Sequence, residues 1–117
     1  TLHKALEMSE RLKMSRHFIT AFVNYNLGIG YLKKGDYQKA LDYSKKSLNL
    51  RQKIYEKVKN HIEIVESLHN LGDTYFAIGN KGKGLECYQQ ALAMSLALSL
   101  DHLPQTKEIQ KKLLCHA

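Results

Sequence analysis

The chain has no tryptophan, one proline and two cysteines among its 117 residues. A single proline leaves long stretches in which a helix can run on, because interior proline is what helices tolerate least. Cys87 and Cys115 are too few for a disulfide scaffold and too far apart for a CxxC metal or redox pair, which fits a reducing, cytoplasmic compartment. No apolar run approaches the roughly 20 residues that span a bilayer, and no charged-then-apolar leader opens the chain, so neither membrane insertion nor secretion is expected. Acidic residues are scarce too: 11 Asp and Glu stand against 18 Lys and Arg, a formal net charge of +7. That balance fits nucleic acid, an anionic surface or an acidic protein partner and does not choose among them.

What is present describes an ordinary folded domain, 44% apolar and 25% charged. The length allows one such domain, and a start at Thr1 rather than Met is expected of a piece of a longer polypeptide. Good helix formers and the turn residues between them predict an all-α chain of about six helices. The first runs over Leu2–Lys13 with Leu2, Leu6 and Leu12 on one side. Ser15 can cap a second over Arg16–Lys33, which Gly35 ends and Asp36 restarts as the N-cap of a third, to about Val58. In that third helix Tyr37, Leu41, Leu48 and Tyr55 share an apolar face. Asn60 with Glu63 forms a capping box for a fourth helix, to about Ile78. Gly79 and Asn80 repeat the Gly35–Asp36 turn before a fifth, Lys83–Leu100. Asp101 and Pro104 open a sixth, to about Leu114.

Asn26–Ala40 reads NLGIGYLKKGDYQKA and Asn70–Gly84 reads NLGDTYFAIGNKGKG. Glycines beside lysines suggest a phosphate loop, but such a loop needs a preceding strand and a Lys-Ser/Thr pair after its last glycine, and neither is there. Gly28 and Gly30 fall within a helix, where close approach of a neighbouring helix is the expected role. The two stretches instead repeat Asn, Leu, Gly, Tyr, Gly and Lys at matching places, which points to a repeated architecture.

Leu27, Gly28, Tyr31, Gly35, Tyr37, Ala40 and Leu48 in one unit, and Leu71, Gly72, Tyr75, Gly79, Tyr88, Ala91 and Leu92 in the next, resemble the tetratricopeptide repeat. Ser44 and Ser47 depart from its aromatic and alanine, and Gly84 from the alanine represented by Ala40. Leu27 and Leu71 lie 44 residues apart, longer than the usual period of about 34, and Ile54–Gly72 resembles the connecting stretch of kinesin light chain and nephrocystin-like arrays. The resemblance implies a right-handed superhelix, an α-solenoid of antiparallel helix pairs. Residues 1–13 would be the second helix of a preceding repeat, 16–58 and 60–100 two full repeats, and 101–117 a following or capping helix. It further implies a non-catalytic adaptor or scaffold with neither cofactor nor metal, holding a partner peptide in a concave groove.

The groove-facing stripes implied are Phe22, Tyr25, Asn26, Ile29 and Lys33 on the second helix and Glu66, His69, Asn70, Asp73 and Ala77 on the fourth. Asn26 and Asn70 take the slot where related repeats set an asparagine against the partner's backbone, a task suited to an amide that both donates and accepts; buttressing the neighbouring repeat is the alternative. The carboxylate clamp of chaperone-binding repeats needs Lys and Asn one turn apart, and its slots here hold Tyr25 with Ile29 and His69 with Asp73. His69 and Asp73 are too few for a zinc site. Cys87 reads as a small core residue and His61 as part of the turn between units. Lys39, Lys45, Lys46, Lys53, Lys57 and Lys59 read as a solvated outer face; without interleaved aromatics they do not make a nucleic-acid surface. A basic chain favours an acidic partner through steering. The rival expectation is a spacer that associates end to end through Leu2, Leu6 and Leu12 at one end and Ile109, Leu113 and Leu114 at the other.

Overall fold

The computed structural model describes residues 2–58, 60–99 and 103–116, which form five α-helices: α1 (Leu2–Lys34), α2 (Tyr37–Ile54), α3 (Ile62–Ile78), α4 (Lys81–Ala97) and α5 (Pro104–His116). The expected first and second helices are one. Ser15 does not cap a new helix, because Lys13–His17 contains neither glycine nor proline and a serine inside a helix costs less than about 0.7 kcal/mol relative to alanine, below the cost of breaking the hydrogen-bond ladder. The expected boundaries at Leu100 and Asp101, and the side chains of Leu2 and Leu6, lie outside the described residues.

The two glycine turns are copies of each other. Gly35 and Gly79 take positive φ, 85° and 97°, the left-handed conformation that a side chain disfavours. Their amides bond back to Leu32 and Phe76, and those of Asp36 and Asn80 to Tyr31 and Tyr75, satisfying the last helical carbonyls. Asp36 and Asn80 then accept from the amides of Lys39 and Lys83, each at 3.3 Å. The chain thus reverses within two residues, making α1–α2 and α3–α4 antiparallel pairs. Between the pairs, α2 stops at Ile54 rather than Val58, and the cap of α3 is His61 rather than Asn60: its Nδ1 accepts from the Glu63 amide at 3.1 Å. Stacking of the imidazole on the Tyr55 ring, 3.6 Å between centroids, holds it there.

The apolar core is centred on the second pair. Ile64, Val65 and Leu68 of α3, Tyr88 and Ala91 of α4 and Ile109 of α5 are buried together, with Leu48 of α2 packed against them. Ile109 is fully buried and Leu113 packs against the core, so they are not part of an open end face, whereas Leu114 at that end and Leu12 at the other are exposed, at 80% and 65%. The first pair is thinner. α1 buries Ala21 and Gly28, and α2 buries Ala40, Ser44, Ser47 and Arg51, a face offset from the predicted apolar one, whose Tyr37 is exposed. Among the described residues no helix is long and apolar enough to cross a membrane.

Close packing explains three glycines and not a fourth. A Cβ on Gly72 would lie 2.6 Å from the Tyr88 ring, one on Gly28 2.6 Å from Ser44 Oγ, and one on Gly84 2.6 Å from the Phe76 ring, whereas Gly30 has nothing within 4 Å. Gly30 therefore does not serve helix–helix approach. Gly72→Ala is expected to lower unfolding free energy by about 1–3 kcal/mol through overpacking, and Gly30→Ala to raise it by about 0.5–1 kcal/mol. Urea unfolding of both variants checks the contrast, and similar values for the two would refute it.

Candidate partner-binding groove

Because each pair reverses tightly, the first helices of successive units lie on the same side. α1 also touches α3, and α5 reaches α3 through Lys112. Glu66, His69, Asp73 and Ala77 are the less buried positions of α3 between two flanks of buried residues, and Phe22, Tyr25, Ile29 and Lys33 occupy the matching positions 44 residues earlier. These two lines are the candidate groove positions. The asparagines do not share one environment. Asn70 is buried between α2 and α3, its Nδ2 donating to Ser44 Oγ at 3.0 Å, while Asn26 is exposed beside Leu27, Gly30 and Tyr31.

Arg51 supports the layer from behind. It is 2% exposed, and its Nη1 donates to the Glu63 carbonyl at 2.9 Å and to Ser67 Oγ at 3.0 Å. The same atom lies 3.8 Å from Glu66, and the guanidinium sits 4.5 Å from the centre of the Tyr25 ring. One side chain of α2 thereby holds Tyr25 of α1 and Glu66 of α3. Sequence reading passed over Arg51, although its spacing from Ala40, Ser44 and Ser47 is that of one helical face. Burial pushes the Glu66 carboxyl up, against the pull of Arg51. Burial likewise raises Tyr25, and Glu66 adds to it.

A polar cluster joins α3 to α4 and α5. Lys112 Nζ donates to Asp73 Oδ1 at 2.7 Å and meets His69 Nε2 at 2.9 Å, and Glu108 lies 3.4 Å from the same ammonium. The Tyr88 hydroxyl donates to Asp73 as well. An ammonium has no lone pair, so His69 Nε2 must accept, which makes this imidazole neutral with its proton on Nδ1. Asp73 already holds a cation in Lys112, and among the described residues no three His, Cys, Asp or Glu converge as metal ligands. Cys87 is buried and its thiol is pushed up to about 11 by that burial, which is not the electropositive, open setting of a nucleophile. Lys112 and Glu108 belong to this cluster and were missed by sequence reading, since they lie outside the repeated stretches; the i,i+4 Glu–Lys spacing was their one visible sign.

Two profiles described as tetratricopeptide repeat match the chain, over residues 1–53 and 65–97. The chain belongs to the tetratricopeptide repeat family. The paired helices and their side-by-side stacking are accordingly those of an α-solenoid. Among curated proteins it is similar to the photosystem I assembly protein Ycf3 of Prochlorococcus marinus: 35% identical over 72 residues in strain CCMP1986, covering 62% of this chain and 38% of that protein. The likeness is 33% over 72 residues in strain MIT 9301, with the same coverage, and 29% over 75 residues in strain NATL1A. The chain spans about four-tenths of the length of these relatives. No solved structure matches it.

Arg51→Ala is expected to cost about 3 kcal/mol, the scale of breaking a buried charged network, and Arg51→Lys most of that, since a lysine lacks the planar fork. Urea unfolding decides, and a loss under about 0.5 kcal/mol, typical of a surface change, would remove Arg51 from this role.

A pH dependence follows from His69. Burial lowers its pKa from the ordinary 6.5, Lys112 adding to the effect while Asp73 and Glu108 oppose it. The unfolded chain then binds a proton that the folded chain resists, so this contribution is complete above pH 6.5 and is lost as pH falls through the folded value. Glu66 acts with the opposite sign: its raised pKa favours the fold below its ordinary 4.5, a contribution lost as pH rises. Subtracting the stability curve of His69→Asn from that of the parent isolates the histidine; the difference should fall as pH drops below 6.5, and a flat difference would contradict it.

Proposed function

We propose that the chain is a non-catalytic interaction module, an adaptor or scaffold that holds a segment of a partner protein along the open side of α1, α3 and α5. The observation that carries this reading is the juxtaposition across one layer of an apolar wall, Phe22, Tyr25 and Ile29, with a polar wall, Glu66, His69, Asp73 and Lys112. Each wall is anchored from behind, by Arg51 under Tyr25 and by Tyr88 under Asp73. Side chains immobilised before binding lose less entropy when a partner arrives, and an apolar anchor beside polar groups divides affinity from specificity.

Membership in a repeat family and similarity to proteins named for photosystem I assembly support a role in bringing proteins together. Within the groove the carboxylates Glu66 and Asp73 each face a cation, Arg51 or Lys112, so charge there is nearly balanced. Lys33 and Ala77 form the exposed ends of the two lines, and Asn70 acts through Ser44 as a support.

The test is a peptide-display selection against the parent and against Ile29→Ala with Glu66→Gln, a variant whose helical circular dichroism must match the parent's. Peptides recovered by the parent are expected to bind the variant at least about tenfold more weakly. A parent that selects nothing while its mass grows with concentration would replace this reading with that of a self-associating spacer.

A further inference from the structure

Beside the glycine turns, lysines meet over tyrosine rings that belong to other helices. Lys45 of α2 and Lys83 of α4 lie 5.9 Å and 5.6 Å from the centre of the Tyr75 ring of α3. Two ammonium groups from successive helix pairs therefore converge on one ring, at a junction that has both of its pairs in place. The first pair carries a copy of this arrangement. Tyr31 and Lys39 stand 44 residues before Tyr75 and Lys83, and Lys39 lies 5.3 Å from the Tyr31 ring, with Lys34 at 5.9 Å. The repeat thus reproduces a lysine over a tyrosine at each turn.

Attraction to a ring face holds an ammonium without consuming its N–H donors. Lys34, Lys39, Lys45 and Lys83 are all exposed. Among the described residues, Lys39 is the one of these four with an acidic partner, Asp36 at 4.0 Å. Two further acids belong to this edge: Asp42 and Glu86 are exposed, three residues from Lys45 and Lys83, and form no ion pair among the described residues. Lys46 and Lys81, also exposed, stand with the cations. The edge keeps a positive excess, and at Tyr75 two like charges share a ring with no carboxylate paired to either.

We propose that this turn-side edge is a second interaction surface, whose occupant is an extended acidic segment of a partner protein, one carboxylate seated between Lys45 and Lys83 and others along the row toward Lys39. An anion there relieves the repulsion between two ammonium groups, and lysines already held against rings lose less side-chain freedom on binding than free ones do. Lysine meets a carboxylate as a point charge, so an irregular chain is held without matched geometry. A nucleic acid fits less well, because bases need open aromatic faces to stack on. Here Tyr75 is 8% exposed and Tyr31 is already stacked on Tyr43, 5.5 Å between centroids. A continuous anionic lipid surface would press on Asp36, Asp42 and Glu86 as well, whereas a chain can place its acids away from them. This surface does not rest on the groove reading.

The probe is a fluorescently labelled peptide of alternating glutamate and serine, about 40 Å long when extended, followed by anisotropy. The parent is expected to bind it with an affinity that weakens as salt is raised, and to bind the same peptide with lysine for glutamate at least about tenfold more weakly. Lys45→Gln with Lys83→Gln, both at exposed positions, should lose at least about tenfold in affinity with unchanged circular dichroism. Lys53→Gln with Lys107→Gln removes the same charge from exposed positions at the other end of α2 and on α5, and should lose less than about threefold. Ile29→Ala with Glu66→Gln should bind as the parent does. Equal losses in the two lysine pairs, equal binding of the lysine peptide, or no binding by the parent overturns the proposal. Loss in the Ile29 and Glu66 variant would move the peptide to the groove instead. An oligouridylate or phosphatidylserine vesicles bound by the parent, with the acidic peptide left unbound, would replace the protein segment by nucleic acid or lipid.

Discussion

A guanidinium removed from water is among the more expensive things a small helical protein can contain, and the arrangement of these helices follows from how Arg51 is accommodated. Desolvating such a charge costs several kcal/mol even after relaxation, so it requires partners of fixed geometry. The arginine fork supplies donors in a plane and leaves its face free to stack. Here the donors go to the Glu63 carbonyl and Ser67 of α3, the face covers Tyr25 of α1, and Glu66 supplies a nearby negative charge. These demands are met together only when α3 sits at one height and rotation relative to the first pair. The step from one repeat to the next is therefore tied to one residue.

The rest of the α2–α3 interface extends the same constraint. Ser47 shares a hydrogen bond with Ser67, and Ser44 accepts from Asn70. An interface of apolar side chains could slide by a turn at modest cost, whereas buried polar groups that miss their partners carry a desolvation penalty of about 1–3 kcal/mol each. The equivalent position to Arg51 in α4 is Ser95, buried and without a hydrogen-bond partner among the described residues. The second pair instead relies on Tyr88, Ala91 and Ile109, an apolar junction to α5. The two junctions of the array are thus built by different physics, the first directional and the second apart from Lys112 largely non-directional.

This difference also explains what could be read from the sequence. The turns at Gly35–Asp36 and Gly79–Asn80 were legible because everything they need lies within a few residues: a left-handed glycine and a side-chain cap. The matching lines of positions on α1 and α3 were legible because they recur at a fixed spacing. Ser15 misled because a capping residue only marks a helix start if something else breaks the helix, and nothing near it does. His61 displaced Asn60 as the cap because an imidazole nitrogen held against Tyr55 can accept as an amide oxygen does, and that ring stack is a tertiary fact. The face of α2 was misread for a deeper reason. Apolar periodicity selects Tyr37 and Leu41, but the helix buries Ser44, Ser47 and Arg51, whose value depends on partners that arrive with α3. A polar residue's burial cannot be inferred from its own helix.

The same separation of roles runs through the charge distribution. In the groove, cation and carboxylate lie within about a hydrogen bond or an ion pair of each other, so their fields largely cancel beyond the site. The excess of the +7 chain is carried instead by the exposed lysines of α2, such as Lys39, Lys45, Lys46 and Lys53, and by the cations of α1. On the proposed reading, a partner approaching from solvent would feel the second set first, over a distance of about 8–10 Å at ordinary ionic strength, while the groove would discriminate only at contact, through shape and hydrogen bonding. On the proposed reading, steering and selection can be altered largely independently, because among the exposed cations of α1 and α2 only Lys33 also stands in a groove line, and Arg51, buried between the pairs, belongs to neither set.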